Sequence, residues 1–273
     1  MITCELINQL LPPAPEWSFL DSSYDARLES RDTLLITIGD SWTWGDSLGQ
    51  TKARESRDDP AYRLGHVYGN LIAEHLDSDW INIAIPGESN TWIIEQAENI
   101  LNPDIINSYK KVYLTLTLTE FGRKQDYDII SKNRDLITLD NVFGIYNQEI
   151  DQRINQLILP NPEVKIIVGY NFIDPAIPNR FLSDTWLDLL YQDATGKCHI
   201  VLSEHIDILG NWLSELTNIR QVDILDFKLQ LIDRSLTRVN RLDNSPYNNS
   251  EDSRHPTERG HEIWAEYLLK NLT

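Results

Sequence analysis

Two short segments, far apart in the chain, carry the residue types of nucleophilic catalysis. Gly39-Asp40-Ser41 directly follows an apolar run, and Asp252 stands three residues before His255. A serine on the turn after a buried strand exposes its hydroxyl above the sheet. An aspartate three residues before a histidine can hold the imidazole while its other nitrogen accepts the serine proton. The segments therefore predict acyl transfer in which Ser41 attacks, His255 is the base and Asp252 orients the base.

Two further segments predict the hydrogen-bond donors that such a reaction needs for its oxyanion. Gly87 follows a second apolar run, and a glycine there lets its backbone N–H point at a ligand. Thr119 ends a third run, and its hydroxyl is a donor, although it is shorter than an amide. We expect both residues in the oxyanion hole. The alternatives are a simple turn glycine and an ordinary strand threonine.

Several polar and aromatic side chains near these segments are candidates for substrate binding: Trp42, Trp44, Asn90, Glu120 and Arg123. The two tryptophans, with Trp92, either line a sugar or acyl pocket or pack the loop layer. The asparagine either bonds substrate or caps a helix. The glutamate pairs with Arg123, or Arg123 holds an anionic substrate. A second Gly-Asp-Ser at residues 45–47 follows no strand and is interpreted as loop.

Alternating strand and helix patterns must position these residues. Short apolar runs rich in β-branched residues predict strands at 33–39, 80–85, 111–119 and 163–170, with a weaker one at 221–227. Helical spacing of apolar residues occupies 61–76, 90–101, 147–159 and 257–269. The alternation predicts one α/β domain over residues 1–273, a three-layer sandwich with a central parallel five-stranded sheet and helices on both faces. Residues 1–31 are Pro-rich and predict an irregular N-terminal extension.

The residues with chemical potential fall where such a fold gathers them. Ser41, Gly87 and Thr119 each follow or end a predicted strand, and parallel strands bring their carboxyl ends to one edge of the sheet. His255 stands just ahead of the last predicted helix. We therefore expect these four residues to meet at the carboxyl edge.

These blocks together resemble the SGNH (GDSL-like) hydrolase family. The family's first block matches Gly39-Asp40-Ser41, its second matches NIAIPGES at 82–89, and its last, Asp-x-x-His-Pro, matches the segment from Asp252. The family's third block is Gly-x-Asn-Asp, whose asparagine donates to the oxyanion, whereas this chain has Thr-Leu-Thr-Glu at 117–120. The resemblance implies a flavodoxin-like SGNH fold, a Ser-His-Asp triad and hydrolysis of O-acetyl sugars, lipid esters or thioesters.

Three functions remain open at this point. The first is a serine esterase acting on a short-chain ester, with an O-acetyl carbohydrate as a candidate substrate. The second is an acyltransferase that uses the same triad with an alcohol acceptor. The third is a catalytically weakened protein that binds a glycan or a protein partner, because the family's asparagine is absent. The retained serine, histidine and aspartate favour an enzyme.

Composition excludes some partners. With 24 basic and 42 acidic residues the formal net charge is −18, which repels nucleic acid and anionic membranes. The two cysteines form no disulfide framework, and the histidines show no metal-ligand spacing, so we expect no metal and no cofactor. We see no signal peptide and no apolar run of the ~18 residues that a membrane span needs, which predicts a cytoplasmic protein. Nothing in the sequence indicates the oligomeric state.

Overall fold

The computed structural model describes residues 2–14, 20, 22–46, 48, 59–119, 123, 127–138, 141–171 and 255–273. Their helices and strands are, in chain order, α1 (Cys4–Leu10), β1 (Asp25–Arg27), β2 (Thr33–Gly39), α2 (Ser41–Trp44), α3 (Pro60–His66), α4 (Tyr68–Leu76), β3 (Asp79–Ala84), α5 (Asn90–Ile100), α6 (Pro103–Ile106), β4 (Lys111–Leu118), α7 (Tyr127–Lys132), α8 (Val142–Ile158), β5 (Val164–Tyr170) and α9 (Glu258–Leu272). A 3₁₀ turn, Arg134–Leu136, separates α7 from α8. The strand predicted at 221–227 lies outside the described residues.

The described strands form one five-stranded sheet in the order β1-β3-β2-β4-β5. β2 runs parallel to β3 on one side and to β4 on the other, and β5 runs parallel to β4. The first strand, β1, is antiparallel to β3, with Asp25 opposite Asn82. The α/β class is confirmed, but the sheet is mixed, so the prediction of a wholly parallel sheet is wrong. The antiparallel edge was missed because three half-exposed residues produce no apolar run.

The four strong strand predictions are confirmed to within one residue at either end. They correspond to β2, β3, β4 and β5, and β2 and β3 are buried along almost their whole length. Strands covered on both faces give near-continuous apolar runs, which is why their sequences identify them.

Residues 1–31 contain one helix and one strand, so the prediction of an irregular extension is wrong for these two elements. The first helix, α1, is capped by Thr3, whose hydroxyl accepts from the Leu6 N–H, and it buries Ile7 completely. The second element is β1. Both are too short for periodicity to reveal, because α1 covers less than two full turns and β1 has three residues.

Helices cover both faces of the sheet, and successive β2 residues contribute to opposite cores. Ile36 and Ile38 pack in the core that includes α1, α5, α6 and α8. Leu35 packs in the core that includes α4 and α9, around the fully buried Trp264. The predicted helix at 61–76 is divided at Val67, whose backbone is extended between α3 and α4. Among the described residues, none of the helices is both long enough and apolar enough to cross a membrane.

The order of the strands indicates where a ligand is expected to bind. Connections from β2 lead to β3 on one side, while β4 lies on its other side. In open α/β sheets the crevice at the carboxyl end of such a strand is the usual binding place. The segment that follows β2 is Gly39-Asp40-Ser41, so the fold directs attention to that turn.

Candidate active site

Ser41 lies at the carboxyl end of β2, where the chain turns into α2. Asp40 caps this helix in an extended conformation, and its Oδ1 accepts from the Trp42 N–H at 3.0 Å. A side chain at Gly39 would collide with the Thr43 hydroxyl, so the turn requires glycine there. Ser41 is 8% exposed. The structure thus places this serine at the carboxyl end of β2, as the sequence predicts, but the chain continues there into a short helix and not into the predicted loop.

The Asp40 carboxylate joins the ends of three strands. It is 1% exposed, and its Oδ1 also accepts from the Asn171 side-chain amide at 2.8 Å. Its Oδ2 accepts from the Thr119 hydroxyl at 2.8 Å and from the Arg123 guanidinium at 3.1 Å. A buried carboxylate is stable only when it is paired and hydrogen-bonded, and these four donors meet that need. The turn that holds Ser41 is therefore anchored to β4 and β5 through one side chain.

The hydroxyl of Thr119, a predicted oxyanion donor, points at this carboxylate. Its single proton is donated to Asp40, and its oxygen accepts from Arg123 at 2.9 Å. Its backbone N–H is donated to the side-chain oxygen of Asn90 at 2.8 Å. An oxyanion role for Thr119 stays a prediction, and it requires the hydroxyl to change its acceptor when substrate binds.

Asn90 is fully buried and clamps the end of β4. Its amide donates to the Thr119 carbonyl at 2.9 Å and to the Tyr146 hydroxyl at 3.1 Å. These bonds use its two amide hydrogens within the fold. The cap of α5 is Ser89, whose hydroxyl accepts from the Trp92 N–H at 3.2 Å. Substrate binding by Asn90 is not tested by these contacts and stays a prediction.

Arg123, another candidate for substrate binding, pairs with Asp40 in this structure. Glu120, the partner that the sequence suggested for it, lies outside the described residues. The positive charge of Arg123 therefore has a carboxylate partner already, and its role toward an anionic substrate stays a prediction.

Trp42 and Trp44 flank the nucleophile turn, and both are buried. Trp42 packs in the core beside α9, and the Arg63 guanidinium lies 4.1 Å from the centroid of the Trp44 ring. Arg63 also donates to the Trp44 carbonyl at 2.8 Å and to both carboxylate oxygens of Asp25 at 3.0 Å. These contacts agree with the packing alternative. A substrate-binding role for the tryptophans stays a prediction.

Gly87 follows β3 on an exposed turn. Its φ is +92°, a left-handed conformation that favours glycine, and the N–H of the next residue, Glu88, donates to the Ile85 carbonyl. The turn therefore lies at the carboxyl end of the strand adjacent to β2, on the edge that carries Ser41. Its role as an oxyanion donor stays a prediction.

His255 reaches the nucleophile turn from the start of α9. Its Nε2 lies 3.7 Å from Oδ2 of Asp46, and the two side chains are 23% and 17% exposed. The Asp46 backbone N–H in turn donates to the Ser41 carbonyl at 2.9 Å. The structure thus brings His255 next to the segment that carries Ser41, whereas Asp252 lies outside the described residues.

A ladder of buried polar groups connects this turn to α9. The Tyr68 hydroxyl bonds the Thr43 hydroxyl at 3.3 Å and the Thr117 hydroxyl at 3.0 Å. The Tyr68 N–H donates to Nδ1 of His261 at 3.2 Å, which fixes the proton of this neutral ring on Nε2. The pKa of His261 is lowered to about 3, mainly by burial and to a smaller extent by the nearby His255 and His66. His261 therefore stays uncharged near neutral pH and holds α9 against the turn.

Two residues of this site were missed by sequence reasoning. Asn171 directly follows β5, so the same strand-end rule that selected Thr119 would have selected it. Asp46 belongs to the second Gly-Asp-Ser, which follows no strand and therefore predicts only a loop. No sequence signal connected Asp46 to His255, because the two lie at opposite ends of the chain. In the part of the chain that the structure describes, no three His, Cys, Asp or Glu side chains gather as metal ligands.

Comparison with known proteins decides the family. The model of the GDSL-like lipase/acylhydrolase family matches residues 35–268, which is most of the chain and spans every element of the site. The chain belongs to this family. Its members hydrolyse ester bonds, and this protein is accordingly an ester-bond hydrolase. No curated protein sequence shows significant similarity to it.

Solved structures of esterases and lipolytic proteins are distant neighbours of this member of the family. One is a catalytic mutant of an acetylxylan esterase from Geobacillus stearothermophilus, at 16% identity and a TM-score of 0.37, covering 88% of this chain and 93% of that one. Another is a lipolytic protein of the G-D-S-L family from Veillonella parvula. It has 12% identity and a TM-score of 0.34, and the match covers 87% of this chain and 97% of that one. A third is a family two carbohydrate esterase from Clostridium thermocellum in complex with cellohexaose. It has 12% identity and a TM-score of 0.36, and the match covers 88% of this chain and 63% of that one.

Proposed function

We propose that this protein is a serine esterase that removes a short acyl group, with an O-acetyl ester of a carbohydrate as the candidate substrate, through Ser41, His255 and Asp252. The observation that best supports the proposal is the approach of His255 to the turn that follows β2. A serine at a strand end and a histidine whose ring lies beside the same turn are the two groups from which an activated serine is built.

The proposed reaction proceeds in two steps. The Ser41 hydroxyl gives its proton to Nε2 of His255 while its oxygen attacks the ester carbonyl, and the backbone N–H groups of Ser41 and Gly87 bind the oxyanion. The C–O bond to the leaving alcohol breaks as Nε2 returns the proton to that alcohol. Water then repeats the sequence on the acyl-serine, which releases the carboxylic acid and restores Ser41. Asp252 keeps the imidazole in the required tautomer.

The surroundings of Ser41 favour a small acyl group. The serine is 8% exposed, and the side chains on either side of it, Asp40 and Trp42, are buried. An acetyl group needs less room beside so little exposed a serine than a long acyl chain does. We therefore expect activity to fall as the acyl chain of the substrate lengthens.

The test is hydrolysis of p-nitrophenyl acetate, butyrate and octanoate by wild type, Ser41→Ala and Ser47→Ala. The second Gly-Asp-Ser supplies the control, since Ser47 has the same two neighbours before it in sequence. We expect turnover by wild type and Ser47→Ala, background rates from Ser41→Ala and the highest kcat/KM on acetate. Equal activity of wild type and Ser41→Ala would refute the assignment of the nucleophile.

A second measurement addresses the leaving group and the acceptor. We expect release of free acetate from an O-acetylated oligosaccharide, and Ser41→Ala should release none. Preferential transfer of the acetyl group to an added alcohol over water would replace hydrolysis by acyl transfer at the same site. Glycan binding without acetate release would contradict the proposed esterase activity on this substrate.

A further inference from the structure

The second Gly-Asp-Ser of the chain brings a carboxylate to the proposed catalytic histidine. Oδ2 of Asp46 lies 3.7 Å from Nε2 of His255. This distance is too long for a hydrogen bond but short enough for a strong charge interaction. Asp46 can therefore act on the imidazole through its charge without using the hydrogen bond that Nε2 needs for proton transfer.

The backbone around Asp46 is held in place by the nucleophile turn itself. The N–H groups of Gly45 and Asp46 donate to the Ser41 carbonyl at 3.1 and 2.9 Å. Gly45 has a φ of +84°, and a side chain there would lie 2.8 Å from Cδ1 of Leu48. Leu48 is 1% exposed, and its backbone N–H donates to the Gly45 carbonyl at 3.3 Å. The position of Asp46 is consequently fixed relative to Ser41, and its side chain is directed to His255.

We propose that Asp46 is a positioning residue that stabilises the protonated form of His255 during the reaction. The inference rests on the proposed function, in which His255 accepts the Ser41 proton. A carboxylate beside Nε2 favours the imidazolium and so makes His255 a stronger base. It acts from the Nε2 side of the ring, in addition to the proposed action of Asp252.

Other charged groups near His255 do not replace this carboxylate. His255 contributes to the lowered pKa of His261, and because His261 stays neutral near neutral pH it adds no charge beside His255. Glu258, on the first turn of α9, accepts from the Tyr62 hydroxyl at 3.1 Å. Among the described residues, Asp46 is the acidic side chain within 4 Å of a His255 ring nitrogen.

The test is the pH dependence of kcat/KM for wild type, Asp46→Asn, Asp46→Glu and Asp32→Asn. Asp32 is the matched control, because it loses the same charge in an exposed ion pair with Lys110. Removal of the Asp46 charge should shift the acidic limb of the pH profile of kcat/KM to lower pH by about half to one pH unit. This shift corresponds to a roughly three- to tenfold lower proton affinity of His255. The plateau should fall by a smaller factor, since the rate depends on the strength of the base with a Brønsted coefficient below one.

Two comparisons separate this role from a structural one. Asp46→Glu, which keeps the charge, should return the acidic limb of the pH profile toward its wild-type position. Asp32→Asn should leave the acidic limb where it is in wild type. A lower plateau in Asp46→Asn with an unmoved limb would overturn the inference, because damage to the fold lowers activity without changing the titration. Asp46→Ala serves as a second neutral variant if Asp46→Asn does not fold. Activity in Ser41→Ala would refute the proposed function instead, independently of the limb.

Discussion

Lowering the pH from 7 to 5 should destabilise the fold through one buried histidine, His261. Its side chain is 0% exposed, and its Nδ1 accepts from the Tyr68 backbone, so the folded state needs the neutral ring. The pKa of His261 falls from 6.5 to about 3 in the folded protein, mainly because burial penalises the charge. Above pH 6.5 the ring is neutral in both states. Below it the unfolded chain binds a proton that the folded chain does not bind.

The size of this effect follows from the difference between the two pKa values. Between pH 6.5 and pH 3 the free energy of unfolding should fall by up to about 1.4 kcal/mol per pH unit from this residue. At pH 5 the loss amounts to about 2 kcal/mol, a large share of the ~5–15 kcal/mol by which a domain is stable. The stability is therefore fully present above pH 6.5 and is lost as the pH falls toward 3.

Urea denaturation at pH 7, 6 and 5 measures this loss in wild type, His261→Gln and His75→Gln, with tryptophan fluorescence as the probe. His75 is exposed on α4 and serves as the control. Between pH 7 and pH 5 the free energy of unfolding of His261→Gln should fall by about 2 kcal/mol less than that of wild type. This difference does not depend on how stable the variant is at pH 7. His75→Gln should retain the wild-type dependence.

Equal pH dependence of wild type and His261→Gln would refute this reasoning. If the variant does not fold, titration of the His261 ring by NMR in wild type gives the same answer. A ring that gains its proton near pH 6.5 in the folded protein would show that burial does not hold it neutral.

Three further substitutions test the packing under the site and the anchor of the nucleophile turn. Gly69→Ala should cost about 1–3 kcal/mol of unfolding free energy, because its Cβ would lie 2.6 Å from Nε1 of Trp80. Gly65→Ala, with no atom within 4 Å of the added carbon, should be neutral or slightly stabilising; equal losses in urea would contradict the close approach of α4 to the sheet. Arg123→Gln should cost about 2–3 kcal/mol and lower kcat, since it leaves the buried Asp40 carboxylate without its cation; a loss below about 0.5 kcal/mol would show that the pair is dispensable.

The strands around the site were predictable because burial on both faces gives them an unmistakable composition. β2 has six buried residues of seven, and β3 is buried throughout. β1 was not predictable, since a strand of three residues is too short for an apolar run or an alternating pattern to be recognised. The break at Val67 was also invisible, because the apolar spacing continues across it from α3 to α4.

The site was predictable where a strand end determines the position of a side chain. Ser41 and Gly87 lie where the strand pattern indicated. The partners of those side chains were not predictable, because they come from distant parts of the sequence. The Thr119 hydroxyl bonds a carboxylate 79 residues away, and the amide of Asn171 reaches the same carboxylate from 131 residues away. Periodicity describes one element at a time and carries no information on such pairings.

Asp46 illustrates the same limit at the other end of the site. Its proposed role depends on a turn whose shape comes from Gly45 and on the segment that leads into α9, which contains His255. Neither could be obtained from the tripeptide alone. The repeated Gly-Asp-Ser therefore gives two side chains with different surroundings, one at the strand end and one beside the histidine.

The central claim is that Ser41 is the nucleophile, and covalent labelling tests it most directly. Wild-type protein and His255→Ala would be treated with a fluorophosphonate, digested and examined by mass spectrometry. The account predicts one adduct on the peptide that contains Ser41, resolved from Ser47 by fragmentation, and much slower labelling of His255→Ala. An adduct on Ser47 or on another serine, with Ser41 unmodified, would contradict it.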